Sequence, residues 1–257
     1  MGGNQPTMKR ASYLFAVFGL CLLSPLKAQI EVTQDLAIDH FLTEIEITNN
    51  GISPIPAFTL GKPAVIMSMN FGKKRLSVEP RMAFAIENVK PWSVGVFARY
   101  NLVEEDAFTL RVGINPSVNF QVENYLDGDK QVELIQSRRY FGAEIAPVFT
   151  VMEKWRVGFY YLRANGFDEG PKNGHFFGFN TSFNRVRLSR YFYFSLVPQV
   201  FHIRIDGAGG YYTSGNLRLH FSDSPFILST TMNKALKTEL GPEGEFTWNI
   251  SLIYRID

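Results

Sequence analysis

The chain is poor in the residues that build metal and redox sites: it has one cysteine, Cys21, and four histidines in 257 residues. A lone thiol near the N-terminus closes no disulfide within the chain. Four histidines without paired spacing, and acids scattered along turns, compose no zinc or calcium shell, so no cofactor is expected. A charge excess is missing as well, with 26 Lys and Arg against 24 Asp and Glu. If Lys9, Arg10 and Lys27 leave with a leader, the balance becomes 23 − 24 = −1, which excludes the basic field of a nucleic-acid partner. There is no phosphate-cradling glycine motif. Beyond the leader, no apolar run approaches the roughly 20 residues of a spanning helix.

The leader is the first feature present. Met8-Lys9-Arg10, an apolar stretch over 16–23 and a small residue at Ala28 form the basic, apolar and cleavage regions of a secretory signal peptide. The pattern places a translation start at Met8 and cleavage after Ala28, although Leu26 is large for the position three before the cut. Leu20 is a poor neighbour for an acylated Cys21, which makes lipidation the lesser reading.

Aromatic residues make up 14% of the chain, and they bracket runs of period-two alternation. In 75–86, Leu76, Val78, Pro80, Met82, Phe84 and Ile86 oppose a polar or small face. In 92–100, Trp92, Val94, Val96, Ala98 and Tyr100 do the same, as do the even positions of 108–120 and of 246–256. Many runs last ten residues or more, longer than the usual 5 to 6 or so of globular strands and matching the roughly 9 to 11 that cross a bilayer at a tilt.

The breaks give about twelve strands, at 38–48, 62–71, 75–86, 92–101, 108–125, 131–150, 155–163, 174–184, 190–204, 210–221, 225–234 and 245–257. The fold class is therefore all-β: a closed antiparallel transmembrane barrel with up-and-down topology. An even strand count puts both termini at one end, beside the short turns 72–74, 152–154 and 222–224. Loops 49–61, 164–173 and 235–244 and the Asp127-Gly128 hairpin lie at the other. The first strand is the least regular, and 38–48 can also be read as a helix or plug-like segment.

Pro80, Pro116, Pro147 and Pro198 fall on the oily face of these strands. A closed barrel has no edge on which to hide a missing donor. Bulges or locally broken pairing are expected at all four, unless they mark strand ends.

The leader, the aromatic-bounded strands and the terminal "FTWNISLIYRID" together resemble bacterial outer-membrane β-barrel proteins. The resemblance is architectural, spans nearly all of 29–257 and carries no subfamily motif. It implies the bacterial outer membrane as location, periplasmic termini, and outer-membrane lipid and the barrel-assembly machinery as partners. The chain departs from many such barrels by ending in Asp257 rather than an aromatic residue.

Inward positions offer Arg81, Arg99, Arg111, Asn115, Arg156, Arg218 and Arg255 against Glu79 and Glu144. Arg99, Arg111, Arg156, Arg218 and Arg255 fall in the half nearer the termini, which predicts a basic mouth favouring small anionic solutes in a passive channel. The competing reading pairs these arginines with Glu79, Glu144 and the turn acids Glu104, Glu105 and Asp106, giving a closed structural barrel. Two further readings stand beside these. Outer-membrane phospholipase A is a barrel of similar strand number, but its His-x-Ser-Asn pattern is not found here, which leaves His175 and His202 as the only candidate bases. The far-end loops could also serve binding or adhesion.

Overall fold

Alternation at period two gives each strand two unlike faces, and closing the sheet buries one of them. The computed structural model describes residues 38–257 apart from 128 and 129; the expected leader, including Met8, Cys21 and Ala28, lies outside the described residues. The strands are β1 (His40–Thr48), β2 (Ala64–Lys73), β3 (Leu76–Ala85), β4 (Pro91–Glu104), β5 (Phe108–Asp127) and β6 (Lys130–Met152). They continue as β7 (Trp155–Gly166), β8 (Asn173–Arg187), β9 (Phe192–Ile205), β10 (Ala208–Phe221), β11 (Phe226–Thr238) and β12 (Phe246–Ile256). Each pairs antiparallel with its neighbours in chain order, and β1 pairs with β12 to close the barrel. Segment 38–48 is thus a strand rather than a helix or plug, paired on one side with β2 and on the other with the terminal strand.

The outer wall is apolar, with Phe159 50% and Ile250 55% exposed, whereas inward Ile203 and Ile253 are each 1% exposed. An outward belt of large apolar side chains running right round a barrel is what a bilayer covers. At the end where β1 begins and β12 finishes, the terminal end, the strands join through 74–75, 105–107, 153–154, 188–191 and 222–225. The far end carries 49–63, 86–90, 167–172, 206–207 and 239–245, and there β5 and β6 form the longest hairpin, at 20 and 23 residues.

All four prolines sit inside continuous strands, and each opens one ladder only. Pro116 lies opposite Phe141 in an unbroken β5–β6 pairing, while on its other side the β4–β5 pairs step from Gly95–Ser117 to Ala98–Ile114. The rungs between are omitted without a slip of register. The same step occurs at Pro80 (Ser68–Arg81 to Phe71–Val78), Pro147 (Ile145–Tyr161 to Val148–Gly158) and Pro198 (Asn180–Gln199 to Phe183–Leu196). The absent donor breaks the ladder it would have fed, and the opposite ladder carries the strand. At Pro116 the repair is visible: Val96, opposite it in the continued register, has its carbonyl taken by Asn115 Nδ2 at 3.1 Å.

Bulges do occur, but away from the prolines, at Ala83/Phe84, Asn101/Val103, Thr150/Met152, Phe183/Val186 and Tyr211/Tyr212. The first corrects one expectation. Ala83 lies opposite Ser93 and Phe84 opposite Pro91, so Trp92 is the extra residue. A bulge re-aims its side chain, and Trp92, expected on the oily face, turns inward to 7% exposure.

Two acids tie the far-end loops. Asp206 accepts from the backbone N–H groups of Lys172 and Asn173 at 2.8 and 2.7 Å. Asp168 meets Arg139 at 2.7 Å, and the guanidinium, then the backbone N–H, of Arg139 lower its carboxyl to about 2. A depressed carboxyl contributes its stabilisation above its unfolded value and loses it as pH falls through the folded one. Loop 167–172 is therefore expected to keep its protease resistance down to about pH 4 and to lose it towards pH 2, with Asp168→Asn showing the acid-form cleavage at neutral pH.

Candidate functional site

The lumen is divided into two unlike halves. Loop 49–63 folds back on itself through Gly51 and Lys62, whose N–H and carbonyl meet at 2.8 Å, and enters the barrel. Pro56 opens a short 3-10 turn, Pro56–Phe58, that presents its neighbours to the wall. Ile55 packs on an inward cluster of Phe176, Phe201, Ile203, Tyr212 and Ala235. Rings Phe176 and Phe201 stack at 5.0 Å, and Phe201 and Tyr212 at 5.2 Å. Phe58 lies 5.2 Å from Tyr140, and its carbonyl accepts the Trp92 indole N–H at 2.8 Å. Between this loop and β6–β9 a void of only about 30 Å³ remains.

Below the loop, towards the termini, the lumen opens into a cavity of about 670 Å³ roofed by Ile52 and Pro54. Arg81, Arg185, Arg218 and Arg255 line it together with Glu46 and His220. A second space of about 520 Å³ shares Arg185, His220 and Arg255 and reaches Asp223 and Asp257 at the mouth. Glu44 receives Arg218 through both carboxylate oxygens at 3.1 Å and Arg255 at 2.7 Å. The Arg185 guanidinium lies 4.9 Å above the Tyr193 ring, and His220 stacks on that ring at 4.6 Å. The chamber wall carries four guanidiniums, while Glu44 and Glu46 supply two carboxylates beside them. The chamber is therefore electropositive, and confined walls beneath an apolar roof hold that potential better than an open surface does.

The opposite wall carries a tighter network. Arg99 donates to Glu144 at 2.6 and 3.2 Å and also to Glu79. Tyr160 O–H donates to Glu144 at 2.5 Å, and the Arg99 guanidinium lies 4.0 Å over Phe97. Gly113 permits this approach: a Cβ there would stand 3.0 Å from Glu144 Oε1 and 3.1 Å from the Ala98 carbonyl.

Of the inward residues expected from sequence, Glu79, Arg99 and Glu144 meet in this network, and Arg81, Arg218 and Arg255 meet in the chamber. Arg111 is inward, and its buried Nε has no hydrogen-bond partner among the described residues. Asn115 is inward but occupied with Val96. Arg156 stands exposed at the start of β7, apart from both groups. The expected pairing with turn acids is corrected: among the described residues the lumen arginines bond Glu44, Glu79 and Glu144, not Glu104, Glu105 or Asp106. Glu44, Glu46, Arg185 and Tyr160 were not anticipated. The alternation Glu44-Ile45-Glu46-Ile47 signals the first two, whereas Arg185 reaches the lumen only because the register shifts between Phe183 and Val186. His175 and His202 lie on the outer wall, His175 bonded through Nδ1 to the Tyr161 hydroxyl at 3.0 Å and His202 against Tyr211 at 4.6 Å.

No family model matches the chain, and no curated protein matches it. Solved structures do. KdgM porin aligns at a TM-score of 0.53 and 9% identity over 83% of this chain and 98% of that one. NanC porin aligns at 0.52 and 10% over 83% and 100%. KdgM porin in complex with oligogalacturonate aligns at 0.51 and 9% over 83% and 97%. At such identities the likeness is one of fold. The closed, all-antiparallel twelve-strand barrel with its apolar outer belt gives this chain the fold of the bacterial outer-membrane β-barrels.

Proposed function

We propose that the protein is a passive outer-membrane channel for small anionic solutes, with periplasmic termini and with its lumen held shut by loop 49–63. The observation that carries this reading is the chamber of about 670 Å³ walled by Arg81, Arg185, Arg218 and Arg255 and roofed by Ile52 and Pro54. Fixed guanidiniums around a confined space attract anions, and weak multisite binding is what conduction needs. One barrel of similar fold is described in complex with oligogalacturonate, an acidic saccharide, and an anionic cargo here is consistent with the chemistry of the wall. The orientation follows from the longer loops and the long β5–β6 hairpin lying at the far end, as in barrels with periplasmic turns.

The closed structural barrel is the second reading, favoured by the packing of Ile55 and Phe58 against the inward aromatic cluster. Planar-bilayer conductance separates the two. The refolded wild type is expected to show rare, brief openings. Exchange of residues 52–58 for a short Gly-Ser segment should give steady anion-selective steps, and adding Arg81→Gln with Arg185→Gln should lower the anion preference. A trimmed barrel that stays folded, by heat-modifiable gel migration, yet silent in the bilayer would overturn the channel reading.

A further inference from the structure

On the outer wall, β7, β8 and β9 set Arg163 opposite His175 and His175 opposite Arg204. These three share the outward face near the end away from the termini, and directly opposed side chains stand about 4.5–5.5 Å apart at Cβ. Neither arginine makes an ion pair or hydrogen bond among the described residues. Of the acids in the far-end loops, Asp168 is engaged with Arg139 and Asp206 with the backbone of Lys172 and Asn173. The two guanidiniums thus flank His175 from either side, two strand spacings or about 10 Å apart, a gap that an anion can bridge.

One register step towards the termini, the outward residues change character. Tyr161, Phe177, His202 and Tyr211 follow one another across four strands, with ring centroids 4.6, 6.4 and 4.6 Å apart. The step after that is wholly apolar, with Phe159 and Phe179 5.2 Å apart and Val200 beside them. A shallow groove of about 520 Å³ runs over this surface and is lined by Phe159, Phe177, Phe179, Val200 and Leu236.

We propose that this face holds a phosphate-bearing, acylated lipid of the outer leaflet, its phosphate on Arg163, His175 and Arg204 and an acyl chain in the groove. The arginine fork suits phosphate oxygens. The Tyr161 hydroxyl occupies His175 Nδ1 at 3.0 Å, which leaves Nε2 as the ring nitrogen facing the same anion. A soluble anion would need only the cations. The apolar groove directly beneath them selects a molecule that is anionic at one end and oily at the other. The proposal rests on the outer-membrane reading and on the far end facing outward.

The test uses the refolded barrel in detergent, native mass spectrometry and three probes: a bisphosphorylated acylated glucosamine disaccharide, its dephosphorylated form, and inorganic phosphate. One retained adduct of the phosphorylated lipid is expected, with retention at least about tenfold weaker for the dephosphorylated form and for Arg163→Gln/Arg204→Gln. Phe179→Ala/Val200→Ala should weaken retention of both lipids. Inorganic phosphate should not displace the adduct. Equal retention by wild type and the arginine double variant, with both migrating as folded barrels, would overturn the site, as would displacement by inorganic phosphate alone. Failure of the wild type to insert into liposomes would overturn the membrane reading itself.

Discussion

Glu144→Ala is expected to destabilise the barrel by about 3–5 kcal/mol, the range for removing one partner of a buried ion pair. The Glu144 side chain is 1% exposed and that of Arg99 14%, so neither group has water to fall back on. The carboxylate accepts two bonds from Arg99 and one from Tyr160. Its loss leaves a guanidinium supported by Glu79 alone and a phenol without its acceptor. Replacing both members, as Arg99→Met with Glu144→Leu, should cost much less, because no uncompensated charge then remains inside. Equilibrium unfolding in denaturant on lipid vesicles measures both. If the single and double variants fall together, the charges do not act as a pair.

Ile114→Arg is expected to cost about 2–4 kcal/mol and to impair assembly, as a cation does at the middle of a lipid-facing strand. Ile114 is outward, 45% exposed, and lies opposite Ala98 midway along β4. Asn119→Arg, inward on the same strand and facing a space of about 390 Å³ beside Glu87 and Glu133, should be tolerated. Asn115 is a poorer control, since any substitution there uncovers the Val96 carbonyl. Heat-modifiable migration after refolding is the readout. Equal tolerance of the two variants would overturn the assignment of wall faces, and a reversed outcome would mean that the faces are exchanged.

Much of this architecture is legible in the residues themselves. Alternation and aromatic brackets place all twelve strands, and the terminal one, read as 245–257, is found at Phe246–Ile256. Strand identity is a local property of side-chain period, which is why it survives. What fills the lumen is not local. Trp92 fits an outward alternation perfectly and is turned by a single extra residue against β3. Ile52, Ile55 and Phe58 sit in a stretch of Gly, Pro and Ser that reads as an ordinary loop, yet their spacing by three is the one sign that the loop has an apolar side to bury. Glu44 stayed hidden because β1 was the least regular strand, so the acid that holds Arg218 and Arg255 was not matched with them.

The four omitted-rung sites share a position in the topology. They interrupt β2–β3, β4–β5, β6–β7 and β8–β9, all hairpins joined at the terminal end. The hairpins joined at the far end run through those same strands without omissions; in β5–β6, for example, every residue from Phe108 to Asp127 has a partner. Around two thirds of its circumference the wall is therefore built like a bellows, with stiff double pleats meeting at softer seams. Such a cylinder yields by widening at the seams before any pleat bends. The remaining arc, β10 to β1, has no omitted rung, and the Arg218–Glu44–Arg255 ion pairs tie three of its four strands together, so the widening falls to the seamed wall.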